Sequence, residues 1–312
     1  MQQALYVALG ALTGYLLFGA HSIFGLAALI VNLLTPLPAF YLGLRFGLKS
    51  GWLTILLTGC LLLFASGLEP PLLYLLQFGL PSGILAWLMT RRVDWDRAIF
   101  VTLGFMVVAA LVGVFGIALV QQKSPMFVAA AIIDNEVSLA AESMQAIFNE
   151  AEIPPAELER LKEALESMTE FMRDVYAGLV IVVALFMLLA LVFAVNLLAR
   201  GRIDVPGPRF MKWKAPEPMI WLLILAGFMV FFFDGALRLF AMNLLVILLP
   251  VYFLQGLAVI DSFFQRKALS PIFRTVGYIL VILVNPLPLL VTCIGVFDLW
   301  VDFRKPRIPK ST

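Results

Sequence analysis

The sequence predicts an all-α, polytopic transmembrane helix bundle of eight to nine hydrophobic segments, with an extracytoplasmic helical hairpin. Three observations carry that prediction: long apolar blocks, a net-basic character in every second connection, and one acidic stretch of different character. Hydrophobic residues fill 62% of the 312 positions and charged residues only 13%, against about 25% charged in soluble domains. With a mean hydropathy of +1.00, the chain lacks the polar surface that a water-soluble globule of this length must show.

The apolar segments run over 4–17, 23–44, 51–66, 71–90, 98–120, 176–198, 219–233, 236–264 and 276–301. Most approach the roughly 20 residues that cross about 30 Å of hydrocarbon as a helix. The first segment has no basic residues before it, so it is expected to stay as a helix rather than be cleaved as a signal peptide. Cys60 and Cys293 lie in separate apolar segments with no CxxC spacing, and read as small packing residues.

Lysine and arginine set the orientation. Arg45 and Lys49 follow segment two; Arg91, Arg92 and Arg97 follow segment four. Arg200, Arg202, Arg209, Lys212 and Lys214 follow segment six, and Arg266, Lys267 and Arg274 follow segment eight. Every even connection is basic, which puts the N-terminus and the even loops in the cytoplasm and the odd loops outside. Nine full spans would strand the basic tail (Arg304, Lys305, Arg307, Lys310) outside. The run Asn285-Pro286-Leu287-Pro288 offers the remedy, because prolines interrupt a helix and a re-entrant last segment returns the tail to the cytoplasm.

Residues 121–174 hold eleven acidic and four basic side chains, a local net of −7. Apolar residues recur at Ile133, Val137, Ala140, Met144 and Ile147, then at Leu158, Leu161, Leu165, Met168 and Met172. Steps of three and four mark one helical face. Ile153-Pro154-Pro155 breaks the two runs, predicting two antiparallel helices packed face to face, the second continuous with segment six. The domain scheme is therefore transmembrane helices over 1–121, an acidic hairpin over 122–174, and a sixth span over 175–199. A basic loop over 200–218, C-terminal helices over 219–303 with a Pro-broken last segment, and a basic tail over 304–312 complete it.

Candidate functional residues are sparse. His21, the single histidine, lies in the first outer loop and reads as a ligand contact or pH-sensitive group, or as an interfacial side chain. Glu69 faces a cationic solute or, more plainly, favours the positive end of a helix dipole. Asn32 and Gln77 lie on helices flanking those loops, and with Asn196, Asn243, Gln255 and Asn285 suit interhelical hydrogen bonding. Asp234 and Arg238 are spaced as an i,i+4 ion pair at the membrane edge. Small residues form two ladders, Ala4/Ala8 with Gly10/Gly14, and Gly43/Gly47/Gly51, suited to close helix approach or partner docking. No GxSxG, Walker loop, HExxH or Rossmann glycine set occurs. No enzyme activity, cofactor, metal or nucleic-acid partner is expected.

The run Pro36-Leu37-Pro38-Ala39-Phe40-Tyr41-Leu42-Gly43-Leu44-Arg45-Phe46-Gly47-Leu48-Lys49-Ser50-Gly51 resembles the second-to-third helix junction of substrate-binding S-components of energy-coupling-factor transporters. The Ala4/Ala8 pair resembles their docking motif. The whole chain is similar to the YybS-like family of bacterial membrane proteins. The resemblance implies the bacterial cytoplasmic (inner) membrane, a solute bound from outside near His21, Glu69 and the 122–174 hairpin, and a coupling membrane subunit with ATPases as partner. Two other readings stand beside it: a scaffold engaging another envelope protein through its hairpin, and an intramembrane enzyme using Asp234 and Arg238 on a lipid-linked substrate. Membrane lipid surrounds the chain in each.

Overall fold

The structure, a computed structural model, describes residues 2–20, 31–150, 154–199 and 201–305. These residues form helices α1 (Gln2–Phe18), α2 (Leu37–Phe46), α3 (Leu48–Ser66), α4 (Glu69–Tyr74), α5 (Leu80–Thr90) and α6 (Trp95–Gln121). They are followed by α7 (Pro125–Glu150), α8 (Pro155–Ala199), α9 (Met219–Phe232), α10 (Ala236–Arg266), α11 (Pro271–Leu283) and α12 (Leu287–Val301). Five helices among the described residues are long and apolar enough to cross a membrane, or six if the bent pair α11–α12 counts as one span. Segment nine does break where its prolines predict, with the two arms bent by 102°. Residues 155–199 form a single helix of 45 residues, about 68 Å at 1.5 Å per residue. The acidic run and segment six are thus one rod.

The chain divides into two compact units. The first comprises residues 1–129 and 183–207, and its core packs α1, α2, α3 and α5 against one another. Segment two is not one continuous helix. Its start falls on 23–30, outside the described residues, and the chain turns through 33–36 before α2 begins. The Gly43/Gly47/Gly51 spacing does not run along one helix face. Gly47 stands at φ +95° between α2 and α3, a backbone conformation that L side chains rarely adopt. The chain doubles back at that point. Gly43 and Gly51 therefore face each other across a helical hairpin, where a Cβ on Gly51 would come within 2.9 Å of the Gly43 Cα. Gly10 and Gly14 pack inside this unit, against Leu42 and Thr58, whereas Ala4 and Ala8 are exposed.

The second unit comprises residues 130–182 and 208–312. Its densest contact is between α10 and α12, at a crossing made by glycines: a Cβ on Gly295 would overlap the Tyr252 carbonyl, and one on Gly256 the Val291 carbonyl. In the acidic stretch, of the α8 positions that the spacing picks out, Leu158, Leu161, Leu165 and Met172 are half-buried and Met168 is exposed, while Lys162 and Thr169 are half-buried as well. On α7, Ile133 and Val137 turn inward as expected. Ala140, Met144 and Ile147 instead face outward, and Ala141 and Phe148 take the inner positions. Cys60 and Cys293 are both exposed rather than packed.

Candidate functional site

In the first unit, Thr58 of α3 ties three elements together. Its hydroxyl lies 3.2 Å from the Ala11 carbonyl of α1 and 2.9 Å from the Thr54 carbonyl of its own helix. It is also hydrogen-bonded to the Tyr74 side chain at the end of α4. Beyond Tyr74 the chain widens into a π-helical turn, Leu75–Gly79, a geometry that concentrates at functional sites. Aromatic rings close the cluster: Phe18 meets Tyr74 edge-on at 6.0 Å and Phe78 at 6.1 Å, with Tyr15 alongside.

Two side-chain oxygens just before α2 have no partner. Asn32 Oδ1 and Thr35 Oγ1 are buried without a hydrogen bond, and Thr35 is only 1% exposed. The Thr35 carbonyl and the Thr58 hydroxyl both approach the position of a Cβ on Gly14, which places Thr35 and Thr58 beside the same turn of α1. A buried acceptor left empty costs on the order of 1–3 kcal/mol, so this pair, with Thr35 beside Gly14 and Thr58, is a candidate binding locus.

Of the four solute-contact candidates His21, Asn32, Glu69 and Gln77, Asn32 is half-buried, with its Oδ1 turned away from the surface. Glu69 and Gln77 are exposed, and His21 lies outside the described residues. Glu69 opens α4, the dipole position anticipated for it. Asp234 and Arg238 approach at 3.9 Å with both side chains exposed, a loose surface pair of little energetic weight.

The second unit holds a polar cluster that sequence reasoning missed. Asp298 of α12 is fully buried and pairs with Arg304 at 2.9 Å. Its Oδ1 accepts the Phe303 amide at 3.2 Å and its Oδ2 the Gln255 side-chain amide, also at 3.2 Å. Gln255 Oε1 accepts the Ala215 N–H at 3.0 Å. The Arg304 guanidinium also donates to the carbonyls of Met211 (3.1 Å) and Trp213 (2.6 Å). Asp302, at φ +45°, ends α12 and turns the chain so that Phe303 and Arg304 reach back. Burial pulls the Arg304 pKa down, against the support of Asp298. Hydrogen bonding from Lys214, then Lys305, holds the Asp302 carboxyl below its usual range. The one available signal was Asp298 itself, the sole charge in segment nine, since ionisable residues in such segments are rare and paired.

Asn243 and Gln255 do bond across elements, as their position in apolar segments suggests. Between α7 and α8, Asp134 pairs with Arg173 at 3.2 Å. A groove of about 350 Å³ there is lined by Ala141, Gln145, Lys162, Leu165, Glu166 and Thr169, among others.

An all-helical chain with five or six membrane-length apolar helices is a polytopic α-helical membrane protein. It belongs to the DUF2232 family, described as predicted membrane proteins, whose model matches residues 13–299. No curated protein and no solved structure matches it.

Proposed function

We propose that this chain is a transporter-type membrane subunit that binds a small solute in its N-terminal unit, in the manner the S-component and YybS-like resemblance implies. The observation that carries the reading is the pair of buried, unpartnered oxygens on Asn32 and Thr35, with Thr35 beside the Thr58 turn of α1 and α3. His21 remains a proposed contact by its place in the sequence. Glu69 and Gln77, being exposed, are proposed at most as rim residues. The exposed Ala4/Ala8 face of α1 is where a coupling membrane subunit with ATPases would dock. The test is mass spectrometry of small molecules released from protein purified in mild detergent. One solute at near-stoichiometric yield, lost in Asn32→Leu and Thr35→Val, is the expected outcome. Equal recovery in both variants and the parent, or no solute in the parent, rules the reading out.

The same proposal sets the topology: N-terminus in the cytoplasm of a bacterial inner membrane, eight to nine hydrophobic segments, and residues 122–174 outside as a helical hairpin. It rests on the alternation of basic loops. A re-entrant last segment is supported by two contacts. Arg304 bonds Met211 and Trp213, and Arg266 at the end of α10 donates to the Phe303 carbonyl at 3.2 Å. Phe303 and Arg304 thus lie with the loop before α9 and the end of α10. Labelling Lys310→Cys from outside, or Glu150→Cys from the cytoplasm, contradicts this arrangement.

A second reading, a scaffold engaging another envelope protein, is favoured by Leu139, Ile147, Met168 and Phe171. These are 46–55% exposed on an otherwise acidic helix pair. Deleting residues 125–172 from a protein that still folds and still captures its partners excludes it.

A further inference from the structure

Helix α8 has two halves of different chemistry. Residues 157–174 are dense in charge, and 176–198 are apolar. At the seam between them α10 crosses, and Asn243 of α10 reaches into the α8 backbone. Its Oδ1 accepts the Gly178 N–H at 2.7 Å, and its Nδ2 donates to the Asp174 carbonyl at 2.6 Å. In an α-helix those two groups, four residues apart, are the ends of one rung. A single carboxamide therefore serves both ends of that rung from outside the helix. An amide side chain carries an acceptor and a donor side by side on one planar, uncharged group. The approach requires Gly178, where a Cβ would stand 2.8 Å from the Asn243 carbonyl and 3.2 Å from its Cα.

Two arrangements satisfy the same groups. With Asn243 engaged, Asp174 and Gly178 bond to the amide. With it withdrawn, they bond each other, and Asn243 Nδ2 keeps its bond to the Leu239 carbonyl, 2.9 Å away in its own helix. Neither arrangement leaves a backbone group of α8 unpaired, but withdrawal deprives the Asn243 Oδ1 of the Gly178 N–H, so the engaged arrangement is the favoured one. Helices bend where a side chain enters the ladder, and an element with two discrete packings is what relays a change.

We propose that Asn243 is a positioning residue that forms a two-state joint between the charged arm of α8 and α10, so that a force on that arm is passed to α10. The joint is independent of whether a solute or an envelope protein is the ligand. The far part of α10 carries Gln255, which holds Ala215 and Asp298, so a shift of α10 reaches the C-terminal cluster.

The experiment is a distance measurement between spin labels at Glu163→Cys and Leu249→Cys. It uses the full chain in nanodiscs, with Cys60→Ser and Cys293→Ser removing the exposed native thiols. The parent is expected to give one narrow distribution. Asn243→Leu, which cannot bridge the rung, shifts it to a second distance while helical circular dichroism is unchanged. Asn243→Asp accepts from Gly178 but cannot donate to Asp174, and populates both distances. If the leucine variant does not fold, the aspartate variant decides. A parental distribution in the folded variants overturns the proposal.

Discussion

Around Thr58 in the first unit, the buried polar groups are uncharged, and two oxygens, on Asn32 and Thr35, go without partners. Around Asp298 in the second unit, the groups are charged, and both carboxylate oxygens accept hydrogen bonds. The two clusters differ in charge: in the second both carboxylate oxygens are paired and the atom left without a partner is Arg304 Nε, on a cation already held by Asp298. A paired buried charge rigidifies the elements that build it, while a neutral acceptor left empty carries a standing cost that a ligand removes. The Asp298 cluster therefore reads as architecture and the Asn32/Thr35 locus as a place for something to bind.

Breaking the charged cluster has the largest expected effect. Arg304→Ala leaves Asp298 buried and unpaired, and is expected to cost about 3–5 kcal/mol in detergent unfolding. The double variant Asp298→Leu/Arg304→Met, which removes both charges, recovers most of it. Equal losses in the single and double variants contradict the account of a paired charge. Next is the glycine crossing that brings α12 to Gln255. Gly295→Ala forces α10 and α12 apart at the Tyr252 carbonyl, an overpacking expected to lower stability by about 1–3 kcal/mol and to be matched by Gly256→Ala.

The neutral cluster answers in the opposite direction. Thr35→Val keeps the shape and removes an unpartnered hydroxyl, so thermal stability in the absence of solute is expected to stay level or rise by about 1 kcal/mol. A fall of the size seen for Arg304→Ala would mean that the Thr35 hydroxyl is satisfied and the contrast is false.

The smallest effect is in pH. The Asp302 carboxyl is held below its ordinary value by Lys214 and Lys305, so its contribution is present above about pH 4, the unfolded value. It is lost as pH falls through the lowered folded value. Asp302→Asn removes that acid-side slope, and melting curves on the two proteins from pH 6 downward compare it.

Much of the fold was legible in the sequence because hydropathy reports length and charge reports interruption. The five or six membrane-length apolar helices, the single helix through 155–199 and the break at Asn285-Pro286 followed from local chemistry, whereas segment two did not form one helix. The site was less legible. Asn32, Glu69 and Gln77 are equivalent in sequence as polar residues near outer loops, yet Asn32 turns inward and the other two outward. The glycines at 43, 47 and 51 carry the spacing of a helix-face ladder, yet the chain reverses at Gly47. The arginine at 304 belongs to a basic tail by composition, yet it is one half of a buried pair.

The sequence alone determined the class: a helical membrane protein with a separate acidic stretch, since the cost of unpaired backbone in hydrocarbon leaves few alternatives. Which face of each helix turns inward was decided only in the tertiary structure. In a bilayer the lipid tails are as apolar as the protein interior, so hydropathy cannot tell a lipid-facing leucine from a buried one. Close backbone contacts at Gly43/Gly51, Gly178 and Gly256/Gly295, and the hydrogen bonds of Asn243, Gln255 and Asp298, make that choice.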